Sequence, residues 1–381
     1  MFDKYRANDI TRIYMEKYAQ LKRLSDLKGN ISDEDLKVNS MLNIFIEPTN
    51  RCNLNCIFCA RENMKRDFYM LDFEALKKAL VGLPVGSYIS LTGNGEPTLN
   101  VKLYDMIRYA SEKGMFVSII TNATALNAMN RRKLLDSGVS RVQFSFQSID
   151  KKDNEIVMRG VQFRRTLLNI LNFIYEVRTE KKKIYISIAR VKIDETKKFA
   201  QETEDFWKRM PIDNFYDGEF LSLQTNSKIY QRISGEKKET YKPCVNPWTC
   251  VKINANGDVN PCVQDFSSKF VLGNIYNNTL MEILNSEEAI RFRRASLTGA
   301  MEYLNKIGYN CELCNTWGPR VKGNIEDTMH FQMPVILGLV IHEISGERPM
   351  ELEFLKEAIA FLETGRDDVI TGLMNPKQII G

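Results

Sequence analysis

Histidine is almost missing from this chain: only His330 and His342 occur among 381 residues. A histidine-built zinc or iron centre is thereby excluded, and any metal chemistry falls to the eight cysteines. Long apolar runs are missing as well. No stretch approaches the roughly 20 residues that span a bilayer, and the start Met1-Phe2-Asp3-Lys4-Tyr5-Arg6 has no apolar signal core. A cytoplasmic protein without a membrane segment is expected. Charge forms no long run of one sign, and a net charge of +5 is modest for this length, so nucleic acid is not an expected partner. A phosphorylated or acidic substrate stays compatible with that balance. There is no internal repeat and no low-complexity tract. What remains is an ordinary globular composition, 44% hydrophobic and 27% charged. The length suits one large domain and one small one. In a reducing compartment, eight cysteines point to metal or redox chemistry rather than to disulfides.

Polar sequence with helical spacing (Ile10, Ile13, Tyr14, Tyr18, Leu21, Leu24) predicts a helical lead-in over residues 1–40. From 41 to 230 short β-rich runs alternate with helical patterns. The runs are Leu42–Ile46, Tyr88–Leu91, Phe116–Ile120, Arg141–Phe146, Ile184–Val191 and Phe220–Leu223. The helical patterns lie near Phe73–Leu80, Leu103–Glu112, Ala128–Asp136, Thr166–Val177 and Lys197–Met210. Such alternation implies right-handed βαβ units and a parallel sheet, and six strands give an open, partial barrel. A Lys-rich linker follows at Tyr230–Lys242, then a small cysteine-bearing unit over 243–320. The tail, 321–381, has an apolar run at Val335–Ile341 and a helical pattern over Glu351–Leu362.

The first strand runs into Glu47-Pro48-Thr49-Asn50-Arg51-Cys52-Asn53-Leu54-Asn55-Cys56-Ile57-Phe58-Cys59. Three thiolates spaced CxxxCxxC can hold three irons of a [4Fe–4S] cube and leave the fourth open. An open iron can chelate S-adenosylmethionine (SAM), so that one electron releases a 5′-deoxyadenosyl radical. A zinc knuckle is the other reading of such a loop, but zinc prefers four protein ligands and this one offers three. The segment resembles the radical SAM superfamily, whose loop carries an aromatic residue before its last cysteine, here Phe58.

Further segments carry the same resemblance, in the same order, over roughly Asn43 to Leu223. Thr92-Gly93-Asn94-Gly95-Glu96-Pro97 is similar to the Gly-Gly-Glu-Pro segment that receives the SAM amino group, where glycine lets the backbone approach and Glu96 accepts from an ammonium. Thr121-Asn122-Ala123-Thr124 and Ser145-Phe146-Gln147-Ser148 resemble Thr-Asn-Gly and Ser-x-Asp-Gly, which lie near the ribose and carboxylate of SAM. Gln147 stands where the family has an aspartate; its amide still offers a hydrogen bond to a ribose hydroxyl. Arg159-Gly160 resembles another family segment, with a surface ion pair the alternative for Arg159. The resemblance implies a partial (β/α)6 radical SAM barrel with SAM contacts from Phe58, Gly93, Asn94, Gly95, Glu96, Pro97, Asn122, Ser145, Gln147 and Arg159. Cys52, Cys56 and Cys59 would be the cluster ligands.

Five cysteines lie between Cys244 and Cys314. Cys244-Val245-Asn246-Pro247-Trp248, Gly257-Asp258-Val259-Asn260-Pro261-Cys262, Gly273-Asn274-Ile275 and Cys311-Glu312-Leu313-Cys314 look like the SPASM or twitch extension of this superfamily. The resemblance implies that Cys244, Cys262, Cys311 and Cys314 enclose a complete auxiliary [4Fe–4S] cluster. No cysteine follows Cys314, which matches the shorter twitch form. Spacing alone leaves a structural zinc as the alternative.

Enzymes of this kind act as dehydrogenases, epimerases or peptide-modifying maturases. The expected activity is hydrogen abstraction from a C–H bond of a small polyol, such as a sugar or aminocyclitol, because the extension is short and no leader-binding module is evident. A maturase or epimerase of a ribosomally made peptide is the alternative, and an electron carrier without catalysis is a third reading that the SAM segments argue against. Expected partners are the small-molecule or peptide substrate and a reductant such as flavodoxin or ferredoxin. Cys250 is left over. If Asn254-Ala255-Asn256-Gly257 forms a type I turn with a bulge at Gly257, Cys250 comes to face Cys262 and becomes a candidate hydrogen-atom donor. A two-residue turn, an inert packed thiol and replacement of Cys244 as ligand are the other readings.

Overall fold

A computed structural model describes residues 5–27, 30–218, 243–309, 311 and 351–374. Six parallel strands form in sequence order: β1 (Asn43–Ile46), β2 (Tyr88–Leu91), β3 (Phe116–Thr121), β4 (Arg141–Ser145), β5 (Tyr185–Val191) and β6 (Asn214–Gly218). All four residues of β2 are buried, as expected of a central strand of a parallel sheet. The helices start where the side chains stop them from starting earlier: Asp72, Asn127 and Asp150 accept hydrogen bonds from the first turns of Phe73–Ala79, Ala128–Leu135 and Lys151–Val157. Phe144 and Phe173 meet edge to face at 5.4 Å, and Phe146 meets Trp207 likewise. Truncating one of these fully buried rings costs about 3–5 kcal/mol.

The sheet does not stop at six strands. β7 (Cys250–Ile253) pairs in parallel with β1, Asn43 opposite Cys250 and Ile46 opposite Ile253. The short strand β8 (Asp258–Asn260) pairs antiparallel with β7, and β9 (Gly273–Asn274) pairs antiparallel with β8. The order is β6-β5-β4-β3-β2-β1-β7-β8-β9, so the cysteine-bearing extension is built onto the outer edge of β1. The sixth strand runs over Asn214–Gly218, paired Ile188 to Phe215; the Phe220–Leu223 run lies outside the described residues.

The N-terminal helix Tyr5–Asp26 buries Ile13, Leu21 and Leu24 in the main core. Near the other end, Glu353–Glu363 packs on Phe163–Thr179, with Phe354 edge-on to Phe206. The apolar run Val335–Ile341 lies outside the described residues. Among the described residues no helix is long and apolar enough to cross a membrane.

Candidate active site

The strand registers align Ile46 with Leu91, Leu91 with Ile119, and Thr121 with Phe144. The loops leaving these ends therefore share one edge of the sheet, where ligands of parallel α/β sheets bind. The cysteine loop after β1 is pinned from three directions. Glu96 N donates to Arg51 O at 2.8 Å, and Asn55 N and Ile57 N donate to Arg159 O and Val157 O. Asn122 Nδ2 reaches Cys52 Sγ at 3.9 Å and Asn53 Oδ1 at 3.1 Å. Gly95 is obligatory: a Cβ there would sit 2.3 Å from Thr49 O and 2.4 Å from Arg51 O.

Glu96 is buried and holds two loops together. Its oxygens accept from Thr98 N, Thr98 Oγ1, Thr121 Oγ1 and Asn122 N, at 2.6 to 3.1 Å. Burial pushes its carboxyl above the usual range, because these hydrogen bonds do not fully replace lost hydration. Ala123 follows with φ of 59°, a left-handed conformation that fits the glycine of the similar family segment. Gln147 is buried too, its Oε1 accepting from Val191 N at 2.9 Å, so its oxygen braces β5. Ser145 is half-buried at the end of β4. Phe58 packs beside Val157 and Ile193. The Arg159 side chain is exposed.

Two of the loop's three thiols are shifted by their surroundings. Burial, then the proximity of Cys59 and Cys52, pushes the Cys56 thiol up to about 12, and burial raises Cys52. Cys52 and Cys56 thus resist ionisation in the loop itself, and the positive charge of an iron–sulfur core would offset that cost and hold them as thiolates. Among the described residues no three His, Cys, Asp or Glu side chains converge as ligands of a single metal ion.

A second carboxylate, which sequence reasoning passed over, lies beneath this loop. Glu47 is fully buried at the end of β1 and takes a bidentate ion pair from Arg66 at 2.9 and 3.0 Å. It also accepts from Asn94 N (2.9 Å) and Ala255 N (3.1 Å). Burial alone would raise its carboxyl, but Arg66's hydrogen bonds and the charges of Lys252 and Arg66 outweigh it and hold the group below the usual range. Lys252, in the middle of β7, is buried and donates to Asp265 O at 3.0 Å. Burial pulls its ammonium down to about 8. The only sequence signals were an acid directly after an apolar strand and a lysine within one.

In the extension the turn is the three-residue form: Gly257 has φ of 87°, Gly257 N donates to Asn254 O, and Ile253 pairs with Val259. The ladder ends at Lys252 opposite Asn260, two pairs short of Cys250 opposite Cys262. Cys250 is buried and its thiol, raised by burial to about 12, accepts from Thr249 Oγ1 at 3.6 Å and lies near Cys244. Cys262 and Cys311, both partly buried, pack in the cluster of Tyr309 and raise its hydroxyl after the larger effect of burial. Tyr309 donates to Asp265 Oδ2 at 2.9 Å. Cys314 lies outside the described residues.

Comparison with known proteins follows the same division. Residues 46–201 match the radical SAM superfamily, and residues 244–316 match the SPASM iron–sulfur cluster-binding domain. The cofactor-modifying protein of the tungsten-containing aldehyde ferredoxin oxidoreductase of Pyrococcus furiosus is 26% identical over 197 residues, 49% of this chain and 54% of that protein. A PqqA peptide cyclase of Bradyrhizobium diazoefficiens is 31% identical over 112 residues, 29% of this chain and 30% of its own. The matched part thus spans about half of the first relative and under a third of the second. Streptococcus suis SuiB, bound to the precursor peptide SuiA, shares the fold with a TM-score of 0.56 at 18% identity, covering 71% of this chain and 70% of that one. These two domain matches, laid over the loops just described, place the chain in the radical SAM superfamily, in its SPASM/twitch branch.

Proposed function

We propose that this chain is a SAM-cleaving oxidoreductase or epimerase that takes a hydrogen atom from a C–H bond of an organic substrate, with Cys52, Cys56 and Cys59 holding the radical-forming cluster. The observation that carries the proposal is the convergence of Gly95, Glu96 and Asn122 on the cysteine loop, all in hydrogen-bond or packing contact with it or with one another. A [4Fe–4S] cluster with SAM on its open iron supplies one electron and, from SAM, methionine and a 5′-deoxyadenosyl radical. The protein's part is positional. Glu96 fixes Asn122 against the first thiol, Gly95 lets two backbones touch, and Glu47 braces the loop from below.

Cys244, Cys262, Cys311 and Cys314 are proposed to hold the auxiliary cluster. Such a cluster would supply a one-electron acceptor, so that a substrate giving up a hydrogen atom, an electron and a proton would end two electrons oxidised. A small polyol suits this chemistry, and four ligands for one auxiliary cluster support it. A peptide substrate is the second reading, favoured by the 31% identity to a PqqA peptide cyclase and by the peptide-bound SuiB structure that shares the fold. Deuterium transfer into 5′-deoxyadenosine from labelled sugars or aminocyclitols, against precursor peptides encoded beside the gene, decides between them. Replacing any of Cys52, Cys56 or Cys59 by Ala is expected to abolish SAM cleavage and to lower iron from about eight to about four per chain. Wild-type cleavage in such a variant would falsify the assignment.

A further inference from the structure

The two cysteine sets are linked by a run of buried and part-buried hydrogen bonds that passes through the Asp265–Phe266 peptide. Tyr309, two residues before Cys311, donates to the Asp265 carboxylate, and Asp265 N donates to Cys262 O at 3.1 Å. The next residue, Phe266, presents one carbonyl to two donors: Arg66 Nε and Asn94 Nδ2, each at 3.0 Å. Arg66 forks onto Glu47, and Glu47 receives Asn94 N on one oxygen and Ala255 N on the other. Gly93 closes the contact, since a Cβ there would lie 2.4 Å from Glu47 Cγ. Asn94, expected from its motif to face SAM, thus points its amide at the extension.

We infer that Arg66, with Glu47, is a positioning residue that makes SAM affinity at the first cysteine loop depend on an intact auxiliary site. The inference rests on the function proposed above. Its physical basis is the absence of slack. Moving Phe266 O takes the carbonyl partner from both Arg66 Nε and Asn94 Nδ2, leaving Asn94 only the weak Met64 Sδ acceptor at 3.5 Å, and a largely buried donor that loses its partner is costly. The loop Thr92–Pro97 therefore adopts its SAM-receiving shape only while the segment after Cys262 stays in place. A coupling of this kind typically changes affinity about 5- to 150-fold and acts equally in both directions.

The test is a two-by-two cycle of SAM affinity, read from the change in the reduced first cluster's EPR signal on SAM titration. The proteins are the reconstituted wild type, Cys262→Ala, Arg66→Lys and the double variant. Lysine keeps the charge beside Glu47 but cannot reach both carboxylate oxygens and Phe266 O. Each single change is expected to weaken SAM at least about five-fold while the first cluster's own signal keeps its intensity, and the double variant to be no weaker than the worse single. Multiplying losses, or wild-type affinity in Cys262→Ala, overturn the inference. A reciprocal measurement needs no cysteine variant: saturating SAM should raise the chelator concentration that removes half the auxiliary iron from the wild type, and do nothing in Arg66→Lys. Equal shifts in both proteins, or none in either, also overturn it. A wild type that holds no cluster or binds no SAM instead sinks the proposed function.

Discussion

Two buried carboxylates at the ends of neighbouring strands make opposite use of the same problem. Glu96 has four hydrogen-bond donors and, among the described residues, no cation in contact, and its carboxyl is raised. Glu47 has Arg66 in a bidentate pair, Lys252 nearby and two backbone amides, and its carboxyl is lowered. Burial is the largest influence on both, so the difference lies in the partners. Neutral donors orient Glu96 between two loops and leave its charge costly. A cation makes Glu47 a fixed anion around which three segments assemble.

Removing the cation should hurt most. Arg66→Met strands the Glu47 charge in the interior, with an expected loss of about 3–5 kcal/mol in urea unfolding. A loss below about 1 kcal/mol would mean that Lys252 alone neutralises it. Glu96→Gln should cost less, about 1–3 kcal/mol, because the amide turns an N–H toward Asn122 N. The same variant should lose iron from the first cysteine set to chelator more readily than wild type, as Asn122 is no longer held on Cys52.

The two groups should also respond to pH with opposite signs. Glu47, lowered on folding, contributes stability above its ordinary value of 4.5 that is lost as pH falls through the folded value. Glu96, raised on folding, contributes stability that is present below 4.5 and lost as pH rises through its folded value. Anaerobic urea unfolding from pH 8 to 4 should therefore show the penalty of Glu96→Gln growing on acidification. That of Glu47→Gln should stay level and then shrink below about 4.5. Parallel curves would erase the distinction.

Glycine neighbours sharpen it further. Gly95→Ala drives a methyl into backbone oxygens of the cysteine loop, whereas Gly93→Ala meets the side chain of Glu47. Each is expected to cost about 1–3 kcal/mol, with Gly95→Ala the worse because backbone yields less. The smallest effect is expected at Ala123→Gly. Relief of the left-handed strain and the added freedom of the unfolded chain nearly cancel, leaving a change within about 1 kcal/mol in thermal or urea unfolding.

The strands and motif loops were legible because each motif carries its own residue types at short spacing. β1 to β5 were found within a residue or two of their ends, since each carries a short apolar run or, as in β4, a clean apolar–polar alternation. β6 was not. Asn-Phe-Tyr-Asp-Gly is half-buried along its length and takes its conformation from pairing with β5, while the more apolar run just after it drew the reading. β8 and β9, of three and two residues, are too short to leave a pattern. The turn at Asn254–Gly257 was readable as a turn from its glycine, while the choice between a two- and a three-residue loop came only with the pairing of Ile253 and Val259. The Glu47 hub was invisible for a different reason. Arg66 stands 19 residues away and Ala255 stands 208 away, and no periodicity links side chains across such distances.

The pairing of β7 with β1 also sets a timetable for synthesis. β1 is made early, yet the strand that covers its outer edge emerges roughly 200 residues later, about 10–40 s at ordinary translation speeds. Until then the nascent barrel carries an exposed edge with Asn43, Ile44, Phe45 and Ile46 open to any passing strand. The barrel's first cysteine loop hangs from that same strand. A chain stalled before residue 250 thus presents an aggregation-prone edge. Expression at reduced temperature, or with holdase chaperones in excess, should then raise the yield of soluble full-length protein.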